Sequence, residues 1–175
     1  MGKSTSLIFI RCIIFLSVTL FVTSLDTSLV NKACDLCENE QDFCYNVLGQ
    51  NLEAQRATNM HDLEGITINL ALKNYTAIAK NVLEVTTNET DPNLKQIYRK
   101  CLHEYILMRS YFQIIIDTFN SNGNVGQTIF GAASRLSTCM YYFMGNPPLP
   151  NPFVMENDNV GSFLGLIRDI ANMNN

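Results

Sequence analysis

Residues 91–119, DPNLKQIYRKCLHEYILMRSYFQIIIDTF, decide the fold. Asp91 is a helix-capping residue type, and Pro92 suits the first helical position, where a missing N–H costs nothing. Behind them Leu94, Ile97 or Tyr98, Cys101, Tyr105, Met108, Phe112, Ile115 and Phe119 recur at steps of three and four, a continuous apolar stripe on one helix face. Upstream, residues 58–85 carry Ile68, Ala71, Leu72, Tyr75, Ile78, Ala79, Val82 and Leu83 at the same period, with Lys73, Thr76 and Lys80 on the other side and Asn74 at the edge. Downstream, Asn120, Ser121, Asn122 and Gly123 make a turn, and Val125, Ile129, Ala132, Leu136, Cys139 or Met140 and Phe143 run back. That helix is expected to stop at Gly145, before the Pro-rich link GNPPLPNPF. A last helix carries Val160, Phe163, Leu164, Ile167 and Ile170. No period-two pattern competes, and short connections make neighbouring helices antiparallel, so the expectation is an all-α antiparallel bundle.

The same register pairs two cysteines. Cys101 lies near the start of one helix and Cys139 near the end of the next, both on inward stripes. Antiparallel packing brings them level, at a separation a disulfide can span.

The compartment follows from the N-terminus. Residues 1–24, MGKSTSLIFIRCIIFLSVTLFVTS, place Lys3 and Arg11 around a short apolar run, the pattern of a secretory signal cut after Ser24. The run is too short for a membrane span, and Cys12 leaves with it. Residues 25–175 remain as one domain, a hairpin over 25–50 and a bundle over 51–175. Removing Lys3 and Arg11 lowers Lys+Arg from 12 to 10 against 16 Asp+Glu, a net charge of −6. Such a surface repels nucleic acid and anionic lipid, so neither is an expected partner. Two sequons, Asn74-Tyr75-Thr76 and Asn88-Glu89-Thr90, agree with secretion and make Asn74 and Asn88 glycosylation candidates.

Three more cysteines crowd ACDLCENEQDFC, residues 33–44. In a secreted chain they belong to a disulfide framework. Redox chemistry at Cys34 and Cys37 would need a βαβ setting that this sequence lacks. Zinc would need a fourth ligand, and neither His61 nor His103 stands at a metal-ligand spacing. No metal and no cofactor are therefore expected. The pattern leaves a bridge closing a helix-turn-helix over residues 27–48, from Cys34 or Cys37 to Cys44.

These residues carry a resemblance to the plant invertase and pectin methylesterase inhibitor family. Its disulfide-closed N-terminal hairpin is similar to Cys34 with FCYNVL at residues 43–48. Its bundle motifs are similar to TDPNLKQIYRKCLHEY (90–105) and GAASRLSTCMYYF (131–143), and its last helix to residues 151–171. The resemblance spans essentially the whole chain after the leader. It implies a disulfide-stapled four-helix bundle with an N-terminal helical hairpin. It also implies bridges from Cys34 to Cys44 and from Cys101 to Cys139, with Cys37 as the unpaired thiol.

Function is read against an enzyme. There is no nucleophile elbow, no paired metal-binding histidine motif and no P-loop, and the two histidines give little scope for general-base chemistry. The resemblance implies a secreted inhibitor of the cell wall or vacuole that occludes the substrate cleft of a carbohydrate-active enzyme. Invertase inhibitors of the family carry Pro-Lys-Phe in the turn matching residues 120–126, here NSNGNVG, and its absence favours pectin methylesterase. The final helix resembles pollen proteins labelled as invertase inhibitors, which keeps invertase as the alternative target. A helical storage or signalling protein is the reading from a different class. The expected contact face lies opposite the stripe of the 91–119 helix: Arg99, His103, Leu107, Ser110 and Ile114, with Tyr111 beside them. The hairpin or a second copy could equally cover that face. Asn69, Lys73, Thr76 and Lys80 form a weaker candidate.

Overall fold

The computed structural model describes residues 28–145 and 147–174. The leader and its cut after Ser24 lie outside the described residues. Two short helices, α1 (Leu29–Leu36) and α2 (Gln41–Val47), lead through a 3-10 turn (Ala54–Arg56) to four longer ones. These are α3 (Met60–Asn88), α4 (Pro92–Asn120), α5 (Val125–Tyr141) and α6 (Val154–Asn174). No strand occurs among the described residues.

Capping explains where the helices begin. The side chains of Ser28, Asn59, Asp91 and Asn124 accept hydrogen bonds from first-turn N–H groups of α1, α3, α4 and α5. Asp91 takes two, from Asn93 and Leu94 at 2.8 and 3.1 Å. At the far end of α4 the N–H of Gly123 reaches the Thr118 carbonyl at 2.8 Å and that of Asn122 reaches Phe119 at 2.9 Å. Asn122 adopts φ 54°, so this is a Schellman stop with asparagine in the left-handed position.

The four long helices close a ring in which α3 packs on α4, α4 on α5, α5 on α6 and α6 back on α3. Every neighbouring pair is antiparallel. His61 stacks on Phe119 while Tyr75 faces Tyr105 (α3 and α4), and Glu104 meets Arg135 while Cys101 joins Cys139 (α4 and α5). Cys139 lies beside Asn157 (α5 and α6), and Glu64 meets Asn174 while Asn81 meets Glu156 (α3 and α6). Inside the ring lie Tyr105, Met108, Phe112, Ile115, Ala132, Val160 and Ile167, all buried.

A polar thread crosses this core. The Tyr75 hydroxyl donates to the Tyr105 carbonyl, and the Tyr105 hydroxyl donates to the Asn157 Oδ1 at 2.7 Å. Burial pushes the Tyr75 phenol up to about 12 and raises that of Tyr105 further. At the end holding the Pro-rich link, Tyr98, Phe143 and Phe153 pack with ring centroids 5.3 to 6.1 Å apart.

The hairpin lies outside the ring. Val30, Ala33, Cys34, Cys37, Cys44, Leu48 and Ala54 form a second cluster with Leu63 of α3 and Leu166 and Ile170 of α6. Phe43 meets Phe163 edge to face at 5.0 Å. Cys34 is bridged to Cys44, with Cα atoms 5.4 Å apart and a sequence separation of 10. Cys101 is bridged to Cys139 at 4.4 Å and a separation of 38. Both spacings suit a disulfide. Cys37 is the free thiol, buried, its Sγ donating to the Ala33 carbonyl at 3.3 Å. Burial, then Asp169 and Glu40, push it up to about 11.

Two local expectations change. The α5 helix ends at Tyr141 rather than Gly145, because Tyr142, Phe143 and Met144 bond three residues back and tighten the chain out of the α pattern. Leu83, counted in the α3 stripe, is exposed. Thr67 and Thr86 turn inward instead, their hydroxyls satisfied by the carbonyls of Leu63 and Val82 at 2.7 Å.

Candidate functional site

The α4 ridge opposite the core stripe holds the expected contact residues. Arg99, His103, Ser110 and Ile114 are exposed, and Leu107 is half-buried. Their spacing of three and four sets them along one side of the helix. The hairpin packs on α6, the 3-10 turn and the start of α3, and leaves these four residues open.

Tyr111 stands apart from the ridge. It is half-buried against α5, where Gly131 admits its ring: a Cβ at that position would overlap the Cδ1 and Cε1 atoms. The Arg135 guanidinium lies 5.9 Å from the Tyr111 ring centroid, and its Nη1 reaches the Glu104 Oε2 at 3.3 Å. Glu104 is buried, and its Oε1 accepts from the Tyr142 hydroxyl at 3.0 Å. Desolvation and that carboxylate raise the Tyr142 phenol above its ordinary value. Lys100 completes the row, 5.8 Å from the Tyr142 ring. Tyr111, Arg135, Glu104, Tyr142 and Lys100 thus brace α4 against α5, so Tyr111 holds the ridge rather than extending it.

Charge distinguishes α4 from the rest of the chain. It carries Lys95, Arg99, Lys100 and Arg109 against Asp117 and Glu104, and Glu104 is already neutralised by Arg135. A protein with acidic side chains in excess therefore presents one basic helix. Beside it, a groove of about 330 Å³ runs between α3 and α4, lined by Leu72, Thr76, Ala79, Arg109, Gln113 and Ile116. Thr76 belongs to the weaker α3 face, whose Asn69, Lys73 and Lys80 are also exposed.

Two apolar surfaces escaped the sequence reading. Phe130, 65 % exposed, follows Ile129 on α5 and precedes Gly131, which places it level with Tyr111. Its signal was present, an aromatic residue off the α5 stripe. Tyr141, Met144, Val154 and Met155 are exposed around the Pro-rich link. Neither histidine forms a catalytic arrangement: His103 is solvated, and His61 stacks on Phe119 at 4.4 Å. Among the described residues no group of three or more His, Cys, Asp and Glu is placed to hold a metal, and no helix is long and apolar enough to cross a membrane.

The comparisons with known proteins bear on the whole domain. No curated protein matches the chain in sequence. Mutant form A of a pectin methylesterase inhibitor from Arabidopsis has a similar structure, with a TM-score of 0.69 at 20% identity over 83% of this chain and 97% of that one. A pectin methylesterase inhibitor from Arabidopsis thaliana is similar with a TM-score of 0.60, again at 20% identity, over 85% of this chain and 97% of that one. At this identity the likeness shows the fold. The family model described as plant invertase/pectin methylesterase inhibitor matches residues 28–164, from the hairpin into the last helix, and the chain belongs to that family.

Proposed function

We propose that this protein is a secreted inhibitor that binds pectin methylesterase through the α4 ridge and blocks its substrate cleft by occupying it. The observation that carries the reading is the exposed ridge of Arg99, His103, Ser110 and Ile114, left open by a hairpin that docks on the far side of the ring. A braced helix whose ridge runs from Arg99 and His103 to Leu107 and Ile114 suits a cleft that offers an apolar wall beside acidic groups. The braces to α5 hold that helix in place before the target arrives, which lowers the ordering cost of binding. No step of chemistry falls to the inhibitor itself. Residues 120–126 form a tight Schellman stop without Pro-Lys-Phe, which supports pectin methylesterase over invertase as the target.

The test is an assay of the purified protein against pectin methylesterase and against acid invertase. Inhibition of the esterase alone is the expected result, and inhibition of invertase alone would replace the target. Leu107→Arg combined with Ile114→Arg should abolish inhibition with helicity unchanged, because charge is forced into an apolar contact. Full inhibition by that variant would move the contact to another face.

A further inference from the structure

We propose that Asn88, and not Asn74, carries an N-linked glycan, a modification that rests on the secretory reading above. Both asparagines stand in sequons, but the fold treats them differently. Asn74 lies in the middle of α3, half-buried, with its carboxamide oxygen sealed from solvent and unpartnered. The next residue, Tyr75, is buried with its hydroxyl on the Tyr105 carbonyl, and the Thr76 hydroxyl is bonded to the Leu72 carbonyl at 2.7 Å. An oligosaccharide on that carboxamide would have to grow out of the helix side while its neighbour is pinned in the core.

Asn88 is the last residue of α3 and is exposed. The chain then leaves the helix, with Glu89 at φ −63°, ψ 129° and Asp91 at φ −71°, ψ 120°. Pro92 favours that extended backbone in Asp91 whether or not the bundle has formed. Thr90 is exposed, and its hydroxyl makes no hydrogen bond among the described residues, since only its N–H is engaged, by the Glu89 carboxylate at 2.7 Å. Lys95 covers the α3 end by binding the carbonyls of Thr87 and Glu89 at 3.0 and 2.8 Å, contacts that leave the Asn88 side chain free. This is the surface-loop setting an acceptor sequon requires.

The transfer uses a lipid-pyrophosphate-linked oligosaccharide as donor. The Asn88 Nδ2 attacks the first sugar carbon, the bond from that carbon to the pyrophosphate oxygen breaks, and the nitrogen gives up one proton. The lipid pyrophosphate leaves with the bonding pair. The glycan then stands at the end of the bundle where Leu83, Tyr141, Met144 and Met155 are exposed. There α3 and α6 are joined by the bond of Asn81 to Glu156. A hydrated oligosaccharide there would screen apolar surface that is otherwise open.

The experiment expresses the full chain in a secretory eukaryotic host and maps glycopeptides of the protein recovered from the medium. Release by a peptide N-glycanase should convert Asn88 to Asp and leave Asn74 unchanged. Asn88→Gln and, independently, Thr90→Ala should each abolish the gel shift completely, whereas Asn74→Gln should keep it. A secreted protein with Asn88 unmodified, or with a glycan on Asn74, overturns the assignment while leaving the inhibitor reading intact. A chain retained in the cytosol overturns the secretory reading and this inference with it.

Discussion

The hairpin and the bundle are each closed by one disulfide, yet the two bridges stand in different surroundings. In the bundle, Cys101 and Cys139 join helices of 29 and 17 residues that already share a long apolar seam and the contact of Glu104 with Arg135. In the hairpin, Cys34 and Cys44 join helices of 8 and 7 residues, too short to persist alone in water. The bundle bridge closes a separation of 38 residues, worth about 4 kcal/mol in the chain-entropy account, and the hairpin bridge one of 10, worth about 3 kcal/mol. The entropies are close and all four half-cystines are fully buried, but the helices they join differ several-fold in length. One bridge therefore reinforces a core, and the other holds a small unit in shape so that it can dock.

Breaking each bridge tests that difference. Cys101→Ala should lower the stability of the whole domain by about 4 kcal/mol, read as a large drop in melting temperature with loss of the α4 signal. Cys44→Ala, which removes the sulfur that either Cys34 or Cys37 could use to close the hairpin, should cost about 3 kcal/mol and act locally. Amide exchange in α1 and α2 should then speed up while that of α4 stays slow. Equal loss of protection in both regions would make hairpin and bundle a single cooperative unit.

Glu64 sharpens the contrast at the seam, since its neighbour Leu63 belongs to the hairpin cluster. Burial raises the Glu64 carboxyl above its ordinary value, opposed by the Asn174 amide at 2.8 Å and by His61. The folded state therefore holds the proton more tightly than the unfolded one. The contribution of Glu64 is full below its unfolded value, roughly 4.3, and is lost as pH rises through its folded value. Glu64→Gln should gain in melting temperature relative to the parent between about pH 4 and pH 7. A difference that stays constant over that range would show that the ionised carboxylate is well solvated.

The smallest effect belongs to Cys37. Cys37→Ser should change stability by less than about 1 kcal/mol, because a hydroxyl can reproduce the bond to the Ala33 carbonyl. At 2 % exposure and with its pKa pushed up to about 11, the thiol should stay unlabelled by an alkylating reagent in the native protein. Rapid labelling would show the hairpin opening on its own.

Much of this architecture is legible in the residues. The stripe from Leu94 to Phe119, the Asp91-Pro92 start and the level pair Cys101 and Cys139 follow from period and spacing alone. What period cannot see is satisfaction of polar groups. Glu104 and Asn157 are buried because Arg135, Tyr142 and Tyr105 come from other parts of the chain to meet them. Thr67 and Thr86 are buried because their own helix accepts their hydroxyls. Leu83 is exposed because those threonines, not the leucine, keep the inward angle. The proposed contact ridge was legible only as residues off the stripe. That the hairpin leaves it open depends on Leu166 and Ile170, which turn a second apolar side of α6 outward to receive the hairpin.

The closed ring has a practical corollary for handling the protein. Going round it, α4 touches α3 and α5, so α6 lies across from α4, and the hairpin rides on α6. The described chain therefore begins, at Ser28, on the side turned away from the ridge. A tether, label or fusion attached ahead of Ser28 would hold the molecule from behind and present α4 outward, free to meet a partner in solution.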